Sequence, residues 1–149
     1  MSERVVVERW LAAPPERVWS YFTDGDLWAR WQGTAASVDP RPGGAIVLAM
    51  GRDAAVAGAR GEFVLLERPT RLVFTWGWVD APFGDVPPGS TTVEVDLVAE
   101  AGGTRLRLTH TGLPEGLDGV HNEGWRLYLG RLATVLEGGE PGPDPSLAD

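Results

Sequence analysis

His110 and His121 are the two histidines of this 149-residue chain. Imidazole is the side chain that exchanges a proton near neutral pH, so a pair can orient a ligand or move a proton. His110 continues the alternation of Leu106 and Leu108, which aims it at the covered side of a strand. His121 lies four residues before Trp125, in the first turn of a predicted helix. Both histidines should therefore approach one rim of the same interior space. Two readings stay open for His110: it faces a ligand, or it bonds backbone and pins the turn His-Thr-Gly-Leu-Pro that it begins.

Trp125 and Tyr128 share the apolar stripe of that helix. Packing explains them. So does a tryptophan floor with a hydroxyl offered to a ligand. Gly124 sharpens the question, because a glycine inside a helix costs ~1 kcal/mol against alanine. Close packing or open space beside it would account for that cost. Phe74 and Trp76 alternate on one strand face, and Trp28 and Trp31 belong to a helix too short to stand alone, which must dock on something. These nine residues, Trp28, Trp31, Phe74, Trp76, His110, His121, Gly124, Trp125 and Tyr128, are the candidate ligand-binding set. Polar partners are scarce among them, which favours an aromatic or otherwise apolar guest. Arg9 is in phase with Val5, Val7 and Leu11, and either meets a ligand carboxylate or snorkels at the sheet edge.

Other chemistries find little support. The chain has no cysteine, which removes disulfides, thiol nucleophiles and zinc–thiolate sites. Two histidines without a carboxylate at ligand spacing make a poor metal site, and no phosphate- or dinucleotide-binding glycine motif precedes a helix. No catalytic residue, metal or cofactor is expected. A net charge of -8 disfavours nucleic acid. No apolar run approaches ~20 residues, so no membrane span is expected, and a cytoplasmic setting is.

The elements that must position these residues follow from periodicity. Arg4 to Leu11 reads as a strand, followed by short helices from Pro15 to Tyr21 and Gly25 to Trp31. Strands are expected at Ala35 to Asp39, Ala45 to Met50, Arg60 to Glu67, Arg71 to Trp78, Thr91 to Glu100 and Thr104 to Thr111. The last helix spans Asp118 to Glu137, with Asp118 as its cap and Gly138-Gly139 as its stop. Val120, Gly124, Trp125, Tyr128, Leu129, Leu132 and Leu136 form its stripe. Short turns between strands give an antiparallel sheet, and the last helix is the one long element able to cover its apolar face. Residues 1–138 form one α+β domain, and 139–149 a disordered acidic tail.

Several stretches together resemble a known family. They are Arg-Trp-Leu-Ala-Ala-Pro-Pro-Glu-Arg-Val-Trp (9–19), Pro-Thr-Arg-Leu-Val-Phe-Thr-Trp (69–76), His-Thr-Gly-Leu-Pro (110–114) and His-Asn-Glu-Gly-Trp (121–125). In this order they look like homologues of the activator of Hsp90 ATPase, within the START/Bet v 1-like (SRPBCC) superfamily. The resemblance covers residues 4–137. It implies the helix-grip fold: a curved antiparallel sheet of about seven strands around a long C-terminal helix, with two short helices after the first strand. It also implies a cavity for an apolar ligand. The expected role is a small-molecule binding module, with a co-chaperone-like interaction domain or a cyclase- or hydrolase-like enzyme as alternatives. A chaperone contact fits the same resemblance, and the chain is expected as a monomer or, through an exposed edge strand or a tryptophan at the cavity mouth, a homodimer.

Overall fold

A computed structural model describes residues 3–50, 58–79 and 85–142. The sequence also predicts a hairpin loop from Gly51 to Gly58, and all of it but Gly58 lies outside them, as do the middle of the loop after Val79 and the end of the tail. β1 (Glu3–Leu11) leads into α1 (Pro15–Thr23) and α2 (Gly25–Trp28). Then come β2 (Ala35–Val38), β3 (Ala45–Ala49), β4 (Gly58–Glu67), β5 (Arg71–Trp78), β6 (Thr91–Glu100), β7 (Gly103–Leu113) and α3 (Asp118–Leu136). The seven strands form one antiparallel sheet in the order β1-β7-β6-β5-β4-β3-β2. β2 to β7 follow one another as a meander, and β1 closes onto β7. A register shift between Phe63 and Leu65 bends the sheet where β4 meets β5. The helix-grip architecture expected from the sequence is the one observed.

Alternation decides which face is covered. Leu72, Phe74, Trp76 and Trp78 of β5, Val93, Val95 and Leu97 of β6, and Leu106 and Leu108 of β7 are all buried. Each such side chain contributes roughly 1.5–3 kcal/mol by leaving water. The opposite face carries half-exposed ion pairs, Arg71 to Glu94 at 3.1 Å and Arg105 to Glu100 at 2.8 Å. Pairs at that exposure add little. Along α3 the buried residues are His121, Trp125, Tyr128, Leu129, Leu132, Ala133, Val135 and Leu136. Val120, expected in the stripe, is 40% exposed.

The ends of α3 differ from expectation at one side only. Its N-cap is Leu117, and Asp118 is the first helical residue. Leu117 N–H already bonds the Pro114 carbonyl at 3.1 Å, so a turn runs straight into the helix without a side-chain cap. At the other end Gly138 takes φ 87°, its N–H bonds the Val135 carbonyl, and the Gly139 N–H bonds that of Thr134. That pair of bonds is the Schellman stop anticipated for a glycine pair. Arg17 adds a bond to the Leu136 carbonyl at 3.3 Å. For α2, Asp24 is the cap, accepting from Leu27 N–H at 3.2 Å.

A turn and a strand glycine can each be tested by substitution. Ala101 and Gly102 join β6 to β7 with φ 49° and 79°. A two-residue hairpin turn of this kind favours Asn-Gly. Ala101→Asn should therefore raise stability by roughly 0.5–1 kcal/mol, read as a higher urea midpoint. An unchanged or lower midpoint would contradict the turn assignment. Gly77 of β5 lies under the returning segment 85–88, and a Cβ there would collide with the Pro87 carbonyl. Gly77→Ala should cost about 2 kcal/mol in denaturant unfolding. A neutral result would mean that this segment does not press on β5.

Candidate functional site

The site is built where the end of β5 meets the first two turns of α3. Alternation along β5 sends Phe74, Trp76 and Trp78 to one side, and the rings touch in series. Phe74 and Trp76 lie 6.0 Å apart between centroids, and Trp76 and Trp78 lie 5.4 Å apart, edge to face. From α3, Trp125 comes within 5.1 Å of Trp76. Between these rings and the helix is a cavity of about 50 Å³, lined by Gln32, Trp76, Trp78, Val120, His121, Gly124, Trp125 and Tyr128. A single water needs ~10–15 Å³ by the same kind of measure, so the enclosed part admits a group of a few heavy atoms. Val120 lines it and is exposed, which puts the mouth at the first turn of α3. Gly124 lines it too, and a Cβ built there meets nothing within 4 Å.

Hydrogen bonds fix the two histidines. An indole N–H only donates, so whatever it meets must accept. Trp125 Nε1–H donates to His110 Nδ1 at 3.0 Å, which makes Nδ1 the bare nitrogen. His110 then carries its proton on Nε2 and donates to Thr91 Oγ1 at 2.8 Å. Thr91 in turn donates to the Trp76 carbonyl at 2.6 Å. Likewise Trp78 Nε1–H donates to His121 Nε2 at 3.0 Å, and His121 Nδ1–H donates to the Leu117 carbonyl at 2.7 Å. The rings of His110 and His121 stand 5.5 Å apart, edge to face, with no bond between them.

The electrostatics agree with this assignment. Burial, and then the charge His121 would carry, lowers the pKa of His110 from 6.5 to about 3. Burial also lowers that of His121, opposed by its bond to the Leu117 carbonyl. A second proton on either ring would point at an indole N–H that is itself a donor. Both rings are therefore neutral at pH 7. Their bare nitrogens are already taken, so a substrate proton reaches either one only after an indole lets go. What the pair does is hold two tryptophans still at the back and the rim of the cavity.

Of the nine residues singled out from the sequence, Trp76, His121, Gly124, Trp125 and Tyr128 are brought together in the wall. The other four lie behind it. His110 is fully buried and reaches the cavity only through Trp125. Its ring neither faces the cavity nor bonds backbone. Phe74 packs on Trp28, 5.6 Å away, and on Phe63. Trp28 and Trp31 stack at 5.8 Å under Phe22, and Trp31 donates to the Tyr21 carbonyl. Arg9 is exposed and lies across α3 at Gly130, the snorkelling arrangement.

Three wall residues were outside the expected set. Val120 was placed in the helix stripe, and Trp78 at the end of the strand Arg71 to Trp78, but neither among the ligand-binding residues. Gln32 was not anticipated. It is 1% exposed, and its Oε1 accepts from Trp28 Nε1–H at 2.9 Å. The signal for it was the spacing Trp28 to Gln32, one helical turn, which lets an amide satisfy a buried indole. Among the described residues, no cluster of three or more His, Asp or Glu could hold a metal ion, and no helix is long and apolar enough to cross a membrane.

Comparison with known proteins supplies a setting for this site. The family of activator of Hsp90 ATPase homolog 1-like proteins matches residues 12–137. An AHSA1-like protein from Rhizobium etli is 42% identical, with 100% of this chain and 91% of that one covered and a TM-score of 0.72. An HSP90 activator from Plasmodium falciparum is 26% identical over 92% of this chain and 96% of that one, with a TM-score of 0.71. CalU16 from Micromonospora echinospora is 25% identical over 91% and 86%, with a TM-score of 0.70. No curated protein matches the sequence at a significant level.

Proposed function

The chain belongs to the activator of Hsp90 ATPase homolog 1-like family, and from that premise we propose that it is a binding module for a small apolar or aromatic molecule. The guest enters between the sheet and α3, past Val120, and its buried end rests against Trp76, Trp78 and Trp125. One observation carries this reading. Gly124 sits inside a helix, where it costs ~1 kcal/mol against alanine, and no neighbour occupies the space a side chain would fill. A glycine kept for close packing would show contacts there. The aromatic wall and the absence of a charged group among its described residues supply the rest.

The test is a titration with indene, followed by tryptophan fluorescence and by the indole N–H resonances. Saturable quenching with shifts confined to Trp76, Trp78 and Trp125 supports the proposal. Quenching that rises linearly without saturation, or shifts spread over Trp10 and Trp19 as well, would end it.

A second reading is a contact with the Hsp90 chaperone. It rests on the similarity to the Plasmodium falciparum activator over nearly the full length of both chains. Chaperone ATPase turnover measured with this protein in excess decides it. Unchanged turnover at saturation rules it out.

A further inference from the structure

Among the described residues the wall of the cavity has a donor to spare, and two of its acceptors are in use. His121 Nε2 is held by Trp78. Gln32 Oε1 is held by Trp28, which also settles how the amide is oriented, because an indole can only donate. Behind the wall, His110 Nδ1 is held by Trp125. The donors are not all used. Trp76 is 1% exposed, and its Nε1–H is the one buried side-chain polar atom without a partner among the described residues. With Oε1 of Gln32 committed, what that amide has left to offer is its N–H₂ group. Buried donors of this kind are nearly always paired, so an orphan beside a cavity points to what fills the cavity.

We propose that the guest presents a neutral carbonyl oxygen, carried on an apolar ring skeleton, to the Trp76 indole N–H and the Gln32 amide. The inference rests on the binding reading above and narrows it. A carbonyl oxygen has two lone pairs, one for each donor. An ammonium, the form an aliphatic amine takes at neutral pH, has no lone pair to offer the Trp76 N–H. A carboxylate would lose its hydration with no cation among the wall's described residues to replace it. The enclosed space of about 50 Å³ takes the oxygen and the atoms next to it, and the remaining skeleton leaves along Val120 and Gly124.

The experiment compares 1-indanone with 1-methyleneindane, which has the same shape and a CH₂ in place of the oxygen, and with 1-aminoindane. The ketone should bind roughly tenfold tighter than the hydrocarbon, and the amine should not bind measurably. Trp76→Phe should bring the affinity for the ketone down to that for the hydrocarbon, the readout being the ratio of the two measured on the same variant. In case that variant fails to fold, the wild-type protein gives a second readout. The Trp76 indole proton should resonate upfield of the other indoles when free and move downfield with the ketone alone. Equal binding of ketone and hydrocarbon overturns the carbonyl inference and leaves the binding module standing. Binding of neither removes both. A bound water seen on the Trp76 indole proton, and still there with ketone added, also overturns the inference, since the orphan donor would then be satisfied by water.

Discussion

Replacing His110 by leucine will cost about 3 kcal/mol of stability near pH 8 and almost nothing near pH 4. The loss at high pH comes from what His110 holds. Leucine has a similar bulk but no nitrogen, so Trp125 Nε1–H loses its acceptor and Thr91 loses one of its two partners. A buried donor left unpaired costs about 1–3 kcal/mol. The recovery at low pH comes from the wild type. Unfolded, His110 takes up a proton near 6.5, whereas in the folded protein it resists protonation until about 3. Its contribution is therefore complete above pH 6.5 and falls by ~1.4 kcal/mol per pH unit below that, until the folded value is reached. His121, also lowered, acts in the same direction.

Other groups titrate in the same window, notably the carboxylates, so a pH profile of the wild type alone would not isolate the histidine. The difference between the two proteins does, because the carboxylates are common to both. Urea unfolding at several pH values gives that difference directly. A gap that stays constant from pH 8 to pH 4 would mean that His110 is protonated in the fold as readily as outside it. The bonding scheme with a bare Nδ1 facing Trp125 would then be wrong.

This network also shows which parts of the site could be read in the sequence and which could not. Alternation along β5 and β7 placed Phe74, Trp76 and His110 on the covered face, since a strand leaves only two choices of side. Helical spacing likewise put His121, Gly124, Trp125 and Tyr128 together at one end of α3. What periodicity cannot give is depth. Trp28 and Trp76 both point inward, yet Phe74 stands between Trp28 and the cavity. Partners across the fold are equally hidden. Trp78 and His121 are 43 residues apart and meet only once the sheet has curved around α3. Gln32 was missed for the same reason. A polar residue after a short helix looks like surface until Trp28 is known to be buried and in need of an acceptor. The backbone start of α3 was misread for a local reason. Asp118 is a good cap by type, but the turn from Pro114 to Leu117 had already supplied the first bonds.

Gly124 separates the packing account from the binding account most sharply. Gly124→Leu should make the protein more stable by about 1 kcal/mol and weaken indene binding more than roughly tenfold. Stability rises because leucine suits a helix interior far better than glycine and because its side chain has free space to enter. Binding falls because that space is the cavity beside Trp76 and Trp125. Opposite signs in the two measurements are what a residue kept for function would produce, since sequences hold such costs where activity needs room. Thermal unfolding and the tryptophan titration can be run on the same sample. A drop in stability would mean that the helix and sheet meet more closely at Gly124 than the geometry shows, and that glycine is there for packing. Higher stability with unchanged indene affinity would place the ligand elsewhere, since a leucine filling this cavity cannot coexist with a guest resting on the same rings.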